Sequence, residues 1–247
     1  MHIEFIEASY RYKDGFSIEG CTFSVHNHVT IVGPNGSGKS TLAKALCGLL
    51  DFDGLIRFEG QNIKELSPMQ RAQTFAYIPA KLEVFDAYTT VEEFVLTGRY
   101  AHKKGYQDYS AEDRVHAKRM IEELHIDHLT KHTLHNLSSG EQQLVLIAQA
   151  LVQESKVLVF DEPTANLDPK NSHFFIHLLK KLKFDHSILV ITHDVALAAH
   201  MDEDVVFMKE GKASFYKAEA FFYKEKLAQL YDAPFWQEGR YFGVAYD

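Results

Sequence analysis

Only two cysteines, Cys21 and Cys47, occur in 247 residues. Two cannot build the framework of a small disulfide-stapled domain, so they read as small hydrophobes in a reducing compartment. No apolar run approaches the roughly 20 residues needed to span a bilayer. The opening heptad, Met1-His-Ile-Glu-Phe-Ile-Glu7, has neither a basic stretch nor a long apolar one, so no secretory signal is expected there. Basic residues are outnumbered, 26 Lys and Arg against 34 Asp and Glu, and the net charge is −8. Nucleic acid is therefore not expected as the main partner. Internal repeats and low-complexity tracts are also missing. What is present, 46% hydrophobic and 24% charged residues, is globular composition with ample material for a core. The length fits a single domain, 1–247, with room for an inserted subdomain.

The chain is organised around residues 29–49. The β-branched run Val29 to Val32 reads as a buried strand, and Leu42, Leu46 and Leu49 follow at helical spacing. Between them stands Gly33-x-x-x-x-Gly38-Lys39-Ser40, the pattern of a phosphate loop. Its glycines leave room for a phosphate and let backbone N–H groups turn inward. The helix N-terminus adds the positive end of its dipole. Lys39 would neutralise β/γ-phosphates and Ser40 would ligate Mg²⁺.

Upstream, residues 2–7 and 16–25 flank the turn signal Lys13-Asp14-Gly15 and read as an antiparallel pair. Tyr10 and Tyr12 precede that turn, where a ring either stacks on a base or merely covers sheet. Downstream come a strand over 55–58, a turn at Glu59-Gly60, and a helix opened by Ser67-Pro68. A strand over 74–78 then ends at Pro79. From about 83 to 153 the signals are helical. Thr90-Val-Glu-Glu93 is a capping box whose helix ends at Gly98, and 99–109 reads as loop. Ser110 opens a second helix with Val115, Ala117, Ile121 and Leu124 inward. Leu137-Ser-Ser-Gly140 precedes a third, with an apolar stripe of Leu144, Ile147, Ala148 and Leu151. Strand–helix alternation then returns: a buried strand over 156–160, a helix from Pro169 with Phe175, Leu178, Leu179 and Leu182 inward, and a buried strand over 187–191. A short helix capped by Asp194 and a hairpin turning at Glu210-Gly211 follow. The last thirty residues read as helical, then aromatic and irregular. The pattern predicts an α/β fold. A nucleotide-binding core comprises 1–82 and 154–247, with an N-terminal antiparallel β-subdomain, and 83–153 is an inserted α-helical subdomain.

Ligands of open parallel sheets bind beyond the carboxyl ends of strands. Three buried strands here end in the phosphate loop, in Asp161-Glu162 and in His193. Asp161 suits the Mg²⁺ shell. A second carboxylate beside it is costly without a task, and polarising an attacking water is the natural one for Glu162. His193 either is structural or hydrogen-bonds a γ-phosphate. The small-residue turn Leu137-Ser138-Ser139-Gly140-Glu141 caps a helix and offers a second anion site. One nucleotide needs only one such site per subunit, and two facing copies would use both.

These residues resemble the ATP-binding-cassette ATPases across essentially the whole chain. GPNGSGKST (Gly33, Pro34, Asn35, Gly36, Ser37, Gly38, Lys39, Ser40, Thr41) matches the Walker A, and LSSGEQQ (137–143) is similar to the signature usually written LSGGQ. VLVFDEP (157–163) matches the Walker B, ANLD (165–168) the D-loop, and ITHD (191–194) carries the switch histidine. The resemblance implies a RecA-like P-loop NTPase core and a head-to-tail homodimer that sandwiches two ATP molecules. Tyr12 is then the adenine-stacking aromatic. Glu162 and His193 are catalytic, and Ser40 and Asp161 hold Mg²⁺. Ser138, Ser139, Gly140, Glu141 and Asp168 join the nucleotide site, with Ser138 and Gly140 serving the opposite subunit's γ-phosphate. TVEEFVLTGRY (90–100), residues 192–212 and a short tail containing LAQLYDAPF resemble importer ATPases for iron–siderophore, haem or cobalamin. Such subunits sit on the cytoplasmic face of two membrane permease subunits, served by an extracytoplasmic binding protein. Residues 80–90 would meet the permease. A soluble cassette ATPase acting as a mechanical switch, and a nucleotide-binding module used only for assembly, are the competing readings.

Two departures stand out. The family expects glutamine after YIP, where this chain has Ala80 followed by Lys81, and no glutamine lies between Gln73 and Gln107. Water can fill a vacant Mg²⁺ position, so hydrolysis is expected to be slower or differently coupled while ATP binding persists. Ser139 replaces a signature glycine. Finally, His125, His128, His132 and His135 recur at steps of three and four, and on one helix would share a face able to bind Zn²⁺ or sense pH.

Overall fold

The structure is a computed structural model that describes residues 1–13, 15–83, 86–103, 105, 107–165 and 167–245. In chain order it opens with β1 (His2–Arg11), β2 (Ser17–His26), β3 (Val29–Val32), α1 (Lys39–Leu46), β4 (Asp53–Phe58) and β5 (Gln61–Asn62). Next come α2 (Pro68–Thr74), β6 (Phe75–Ile78), α3 (Val91–Leu96), α4 (Ala111–Glu123), α5 (Ser139–Val152) and β7 (Val157–Asp161). Then follow α6 (Pro169–Leu182), β8 (Ser187–Thr192), α7 (Val195–Met201), β9 (Asp204–Lys209) and β10 (Lys212–Tyr216). The chain closes with α8 (Ala218–Phe221), α9 (Lys224–Tyr231), β11 (Phe235–Glu238) and β12 (Tyr241–Val244). These elements form two compact units, Met1–Glu65 with Ile176–Asp247, and Leu66–Phe175.

In the first unit β1 lies between β2 and β4, antiparallel to both, as the alternation of 2–7 and 16–25 requires. Asp14 of the expected turn lies outside the described residues. A second sheet is built on β3, which runs parallel to β8 on one side and β9 on the other. All four residues of β3 are buried, which is why it reads as an unbroken apolar run. The turn Glu210-Gly211 joins β9 to β10 and meets β2. A Cβ on Gly211, at φ 75°, would stand 2.0 Å from the Ser17 carbonyl oxygen.

The C-terminal segment differs from the expected irregular one. β11 and β12 form a hairpin. Phe242 of β12 joins Val32, Ala198, Phe207, Phe221 and Leu227 in one buried cluster, with Phe222, Tyr231 and Phe235 packed against it. The aromatic tail is thus the cover of the core beside α7.

The second unit holds β6 parallel to β7 and the helices α3, α4 and α5, which pack on one another. Each helix starts where a side chain can cap it. Ser67 with Gln70, Thr90 with Glu93, Ser110 with Asp113 and Ser138 with Glu141 all form reciprocal capping boxes. Three expectations are corrected here. Val115 is 69% exposed, because the buried face of α4 runs through Ala117, Met120, Ile121 and on to Leu124, at steps of three and four; Val115 falls about 200° away from Ala117. In α5, Val145, Leu146, Ala150 and Val152 are buried along with Ile147 and Ala148, so Leu144 and Leu151 lie at the margin of a broader apolar face. The stretch expected to be loop from Arg99 begins as a 3-10 helix, Thr97–His102. The histidines do not share a helix face: α4 stops at Glu123, His125 takes φ 57°, and separate 3-10 turns hold His128 and His135. Among the described residues no group of three or more His, Cys, Asp or Glu side chains could hold a metal ion.

Arg99 ties this helical region together. Its Nε donates to Asp113 Oδ1 at 2.8 Å, and its Nη1 to the Val152 carbonyl at 2.9 Å and to Glu154 Oε2 at 2.6 Å. One side chain thereby links the start of α4 to the end of α5. Burial pushes the Asp113 carboxyl up, but hydrogen bonds from Arg99 and from the Ser110 hydroxyl and N–H outweigh it and bring it down to about 2. An unfolded aspartate titrates near 3.9. The folded chain therefore binds fewer protons between those values, and the stabilisation is complete above about pH 4 and lost as the pH falls through about 2. Asp113→Asn should cost about 1.5–3 kcal/mol at neutral pH, the worth of a charged hydrogen bond. Thermal melts should show that deficit shrinking below about pH 4 and nearly closing near pH 2; an equal deficit at neutral and acid pH would contradict the pairing.

Candidate nucleotide site

The first unit carries the phosphate loop. Where β3 ends, Gly33 passes so close to β9 that a Cβ would stand 2.0 Å from the Met208 carbonyl oxygen. Only glycine fits that approach. Gly36 takes φ 76°, and a Cβ there would meet nothing within 4 Å, so the loop opens onto free space at its tip. Asn35 and Gly36 are exposed and Pro34 is half-buried, whereas Ser37, Gly38 and Lys39 are buried. The Lys39 ammonium donates to the Gly33 carbonyl at 2.8 Å and the Pro34 carbonyl at 2.9 Å. The Ser37 hydroxyl is buried with no hydrogen-bond partner among the described residues. A buried ammonium and a buried hydroxyl beside a helix N-terminus form a donor set suited to a polyphosphate.

Tyr12 reaches the same place. Its hydroxyl shares a 2.9 Å hydrogen bond with Thr41 Oγ1 on the first turn of α1. Its ring meets Tyr10 edge-on at 4.7 Å. Ser40 lies half-buried beside Lys39. The exposed His193 follows β8, whose Thr192 is in register with Val32, so it leaves the sheet at the same end as the phosphate loop. Asp194 caps α7 by accepting from the N–H groups of Ala196 and Leu197.

The second unit carries the carboxylates and the signature. Asp161 ends β7, 5% exposed, and its Oδ2 accepts a 2.5 Å hydrogen bond from the Tyr77 hydroxyl on β6. Glu162 follows in the left-handed region, φ 50°, which ends the strand and breaks its alternation. The Asp161 carboxylate and the Ser40 hydroxyl are hard oxygen donors of the kind Mg²⁺ takes.

Ser138 and Ser139 are exposed at the start of α5. Glu141 Oε2 accepts from the Ser138 hydroxyl at 2.6 Å and from its N–H at 2.8 Å, and those two bonds hold the Glu141 carboxyl below its ordinary range. Gly140 abuts Asn171, whose amide a Cβ would meet at 3.1 Å. Asn171 is in turn fixed by Asp168, which accepts from its N–H at 2.9 Å and its Nδ2 at 2.8 Å. The signature turn and the D-loop aspartate are therefore coupled through one asparagine. Asn166 of ANLD lies outside the described residues.

Three functional candidates escaped sequence reasoning. Tyr77 was visible as a strand residue, but its contact depends on the register of β6 with β7. Asn171 sits at the fourth position after Leu167, where an Asp-x-x-Asn capping signal was present. Gln143 closes the segment 137–143 that resembles the signature, but nothing local marked a place for its side chain. It lines a cavity of about 350 Å³ with Ala80, Lys81, Ser139 and Leu167, and its buried Nε2 has no partner among the described residues.

The described residues contain no helix long and apolar enough to cross a membrane. The family model described as ABC transporter matches residues 20–165. A probable iron chelatin transport ATP-binding protein of Helicobacter pylori is 34% identical over 241 residues, 95% of this chain and 94% of that protein. The hemin import ATP-binding protein HmuV of Methylobacillus flagellatus is 35% identical, over 74% of this chain and 71% of its own length. Among solved structures, cbiO1 of Clostridium perfringens, part of the ABC transporter complex cbiONQ, is 27% identical with TM-score 0.75, covering 92% of each chain. A chain of an inward-facing ABC transporter has TM-score 0.84 at 24% identity, over 99% of this chain and 97% of its own, and shows the same fold. With the family model covering more than half of the chain and a relative of this identity covering nearly all of it, the chain belongs to the ABC transporter family, as one of its ATPases.

Proposed function

We propose that this ATPase is the ATP-binding subunit of an importer for an iron chelate, haem or a related metal complex. It would close as a head-to-tail dimer on the cytoplasmic face of a membrane permease served by an extracytoplasmic binding protein. The single observation that carries nucleotide use is the buried Lys39 ammonium folded onto its own loop carbonyls beside the Ser37 hydroxyl, which is buried with no hydrogen-bond partner among the described residues. The substrate class rests on the relatives, which include iron chelatin and hemin transport subunits. Those names also count against a soluble switch uncoupled from transport.

In this reading Tyr12 stacks on adenine, and the N–H groups from Gly33 to Thr41 surround the phosphates. Lys39 exchanges its carbonyl partners for phosphate oxygens. Ser40 and Asp161 hold Mg²⁺, which offsets phosphate charge when bound. Glu162 draws a proton from the attacking water, and His193 hydrogen-bonds the γ-phosphate. Ser138, Ser139, Gly140 and Glu141 of one copy, with Asp168 behind them, close the site of the other. Residues 83–153 form the arm that carries this signature, and the segment after Ala80 meets the permease.

Glu162→Gln should lower kcat by roughly 10²–10⁴-fold, the usual contribution of a general base, with ATP binding retained. Its solution mass should double with Mg·ATP and not with ADP; a variant that turns over at the wild-type rate would remove Glu162 from the mechanism. Ala80→Gln restores the side chain expected at that position and should raise kcat by about tenfold, the scale of one ligand-shell contact. Unchanged turnover in a steady-state ATPase assay would show that Ala80 costs this chain nothing.

A further inference from the structure

We propose that Tyr77 is the positioning residue for the Mg²⁺-binding carboxylate of this ATPase, acting through Asp161 without touching nucleotide; this rests on the reading of Asp161 as a Mg²⁺ ligand. β6 and β7 run parallel with Tyr77 opposite Val159, so Tyr77, Val159 and Asp161 share one face of the sheet. At that separation a tyrosine is long enough to reach the strand end, and its Oη lies 2.5 Å from Asp161 Oδ2. A phenol donating to an ionised carboxylate makes a charge-assisted bond, stronger than a neutral one. It uses one acceptor site of a group that has about four.

The bond fixes the rotation of a carboxylate that is itself almost wholly buried. Such outer-shell partners orient metal ligands and prepay their ordering. Position matters too. Tyr77 stands three residues before Ala80, where the expected glutamine is missing. A glutamine there would reach the metal from the loop after β6. In this chain the same strand reaches the metal's ligand from within the sheet. Tyr77 therefore governs how tightly the metal is held and leaves metal-free nucleotide binding alone.

The test uses the full chain and Mn²⁺ as a paramagnetic probe titrated against the protein with saturating ADP. Tyr77→Phe keeps the ring and loses only the hydroxyl. Its Mn²⁺ affinity should fall about tenfold, the low end of what losing an outer-shell partner costs. ADP affinity in EDTA should equal wild type, and ATPase kcat should recover at high Mg²⁺ while the Mg²⁺ concentration for half-maximal rate rises. Asp161→Asn is the control. If Asp161→Asn weakens Mn²⁺ binding and Tyr77→Phe leaves it within about twofold of wild type, well short of an outer-shell loss, the proposal is overturned and the reading of Asp161 stands. If neither variant changes Mn²⁺ affinity, Asp161 is not a ligand and both fall.

Discussion

The approach of Gly33 to the Met208 carbonyl is the constraint on which the nucleotide site depends. A single Cβ at that point would stand 2.0 Å from the oxygen, far inside contact distance. Either β3 would have to separate from β9 or the loop would have to leave the sheet elsewhere. Both changes move Lys39, whose ammonium is held by the carbonyls of Gly33 and Pro34. They also move Thr41, and with it the hydroxyl of Tyr12. Phosphate binding requires N–H groups fixed before the anion arrives, because ordering them afterwards would consume the binding energy. Here the parallel pairing of β3 with β8 and β9 does that ordering.

The second unit solves a different problem. Its helices are short, and short helices are marginal without caps and tertiary support. Four reciprocal capping boxes and the Arg99 contacts supply these. One of those boxes, Ser138 with Glu141, lies at the turn that the proposed function assigns to the nucleotide site. Ser138 offers its hydroxyl and N–H at the signature turn, and Glu141 engages both. In the proposed dimer, a partner's phosphate arriving there would have to displace or rearrange that carboxylate. The glutamine of the usual signature would be neutral at the same place, so this chain sets a charge where an anion is expected.

Much of this was legible because the signals are local. Ser-Pro and Thr-x-x-Glu mark helix starts within four residues, and the Glu-Gly pairs at 59–60 and 210–211 both take positive φ in tight turns. The motif residues themselves were fixed by order and spacing. What failed was longer-range or a matter of phase. Val115 was assigned inward by its apolar side chain, although two residues from Ala117 is the wrong side of a helix. The C-terminal hairpin turns at Gly239-Arg240, with Glu238 paired to Tyr241, yet the dense aromatics around it masked a two-residue turn. Tyr77 and Gln143 owe their places to pairing and packing that no local pattern encodes.

The central claim is that one ATP site is completed by two copies of the chain. The direct measurement is ATP hydrolysis by a mixture of two inactive variants, Lys39→Ala and Gly140→Asp. Alone, each forms dimers in which both sites are damaged. A mixed dimer places both lesions in one site and leaves the other intact. Hydrolysis that reappears on mixing, and rises with the fraction of mixed dimer, is the predicted result. Two variants that stay inactive at every ratio, while mass measurement shows that they associate, would contradict a shared site.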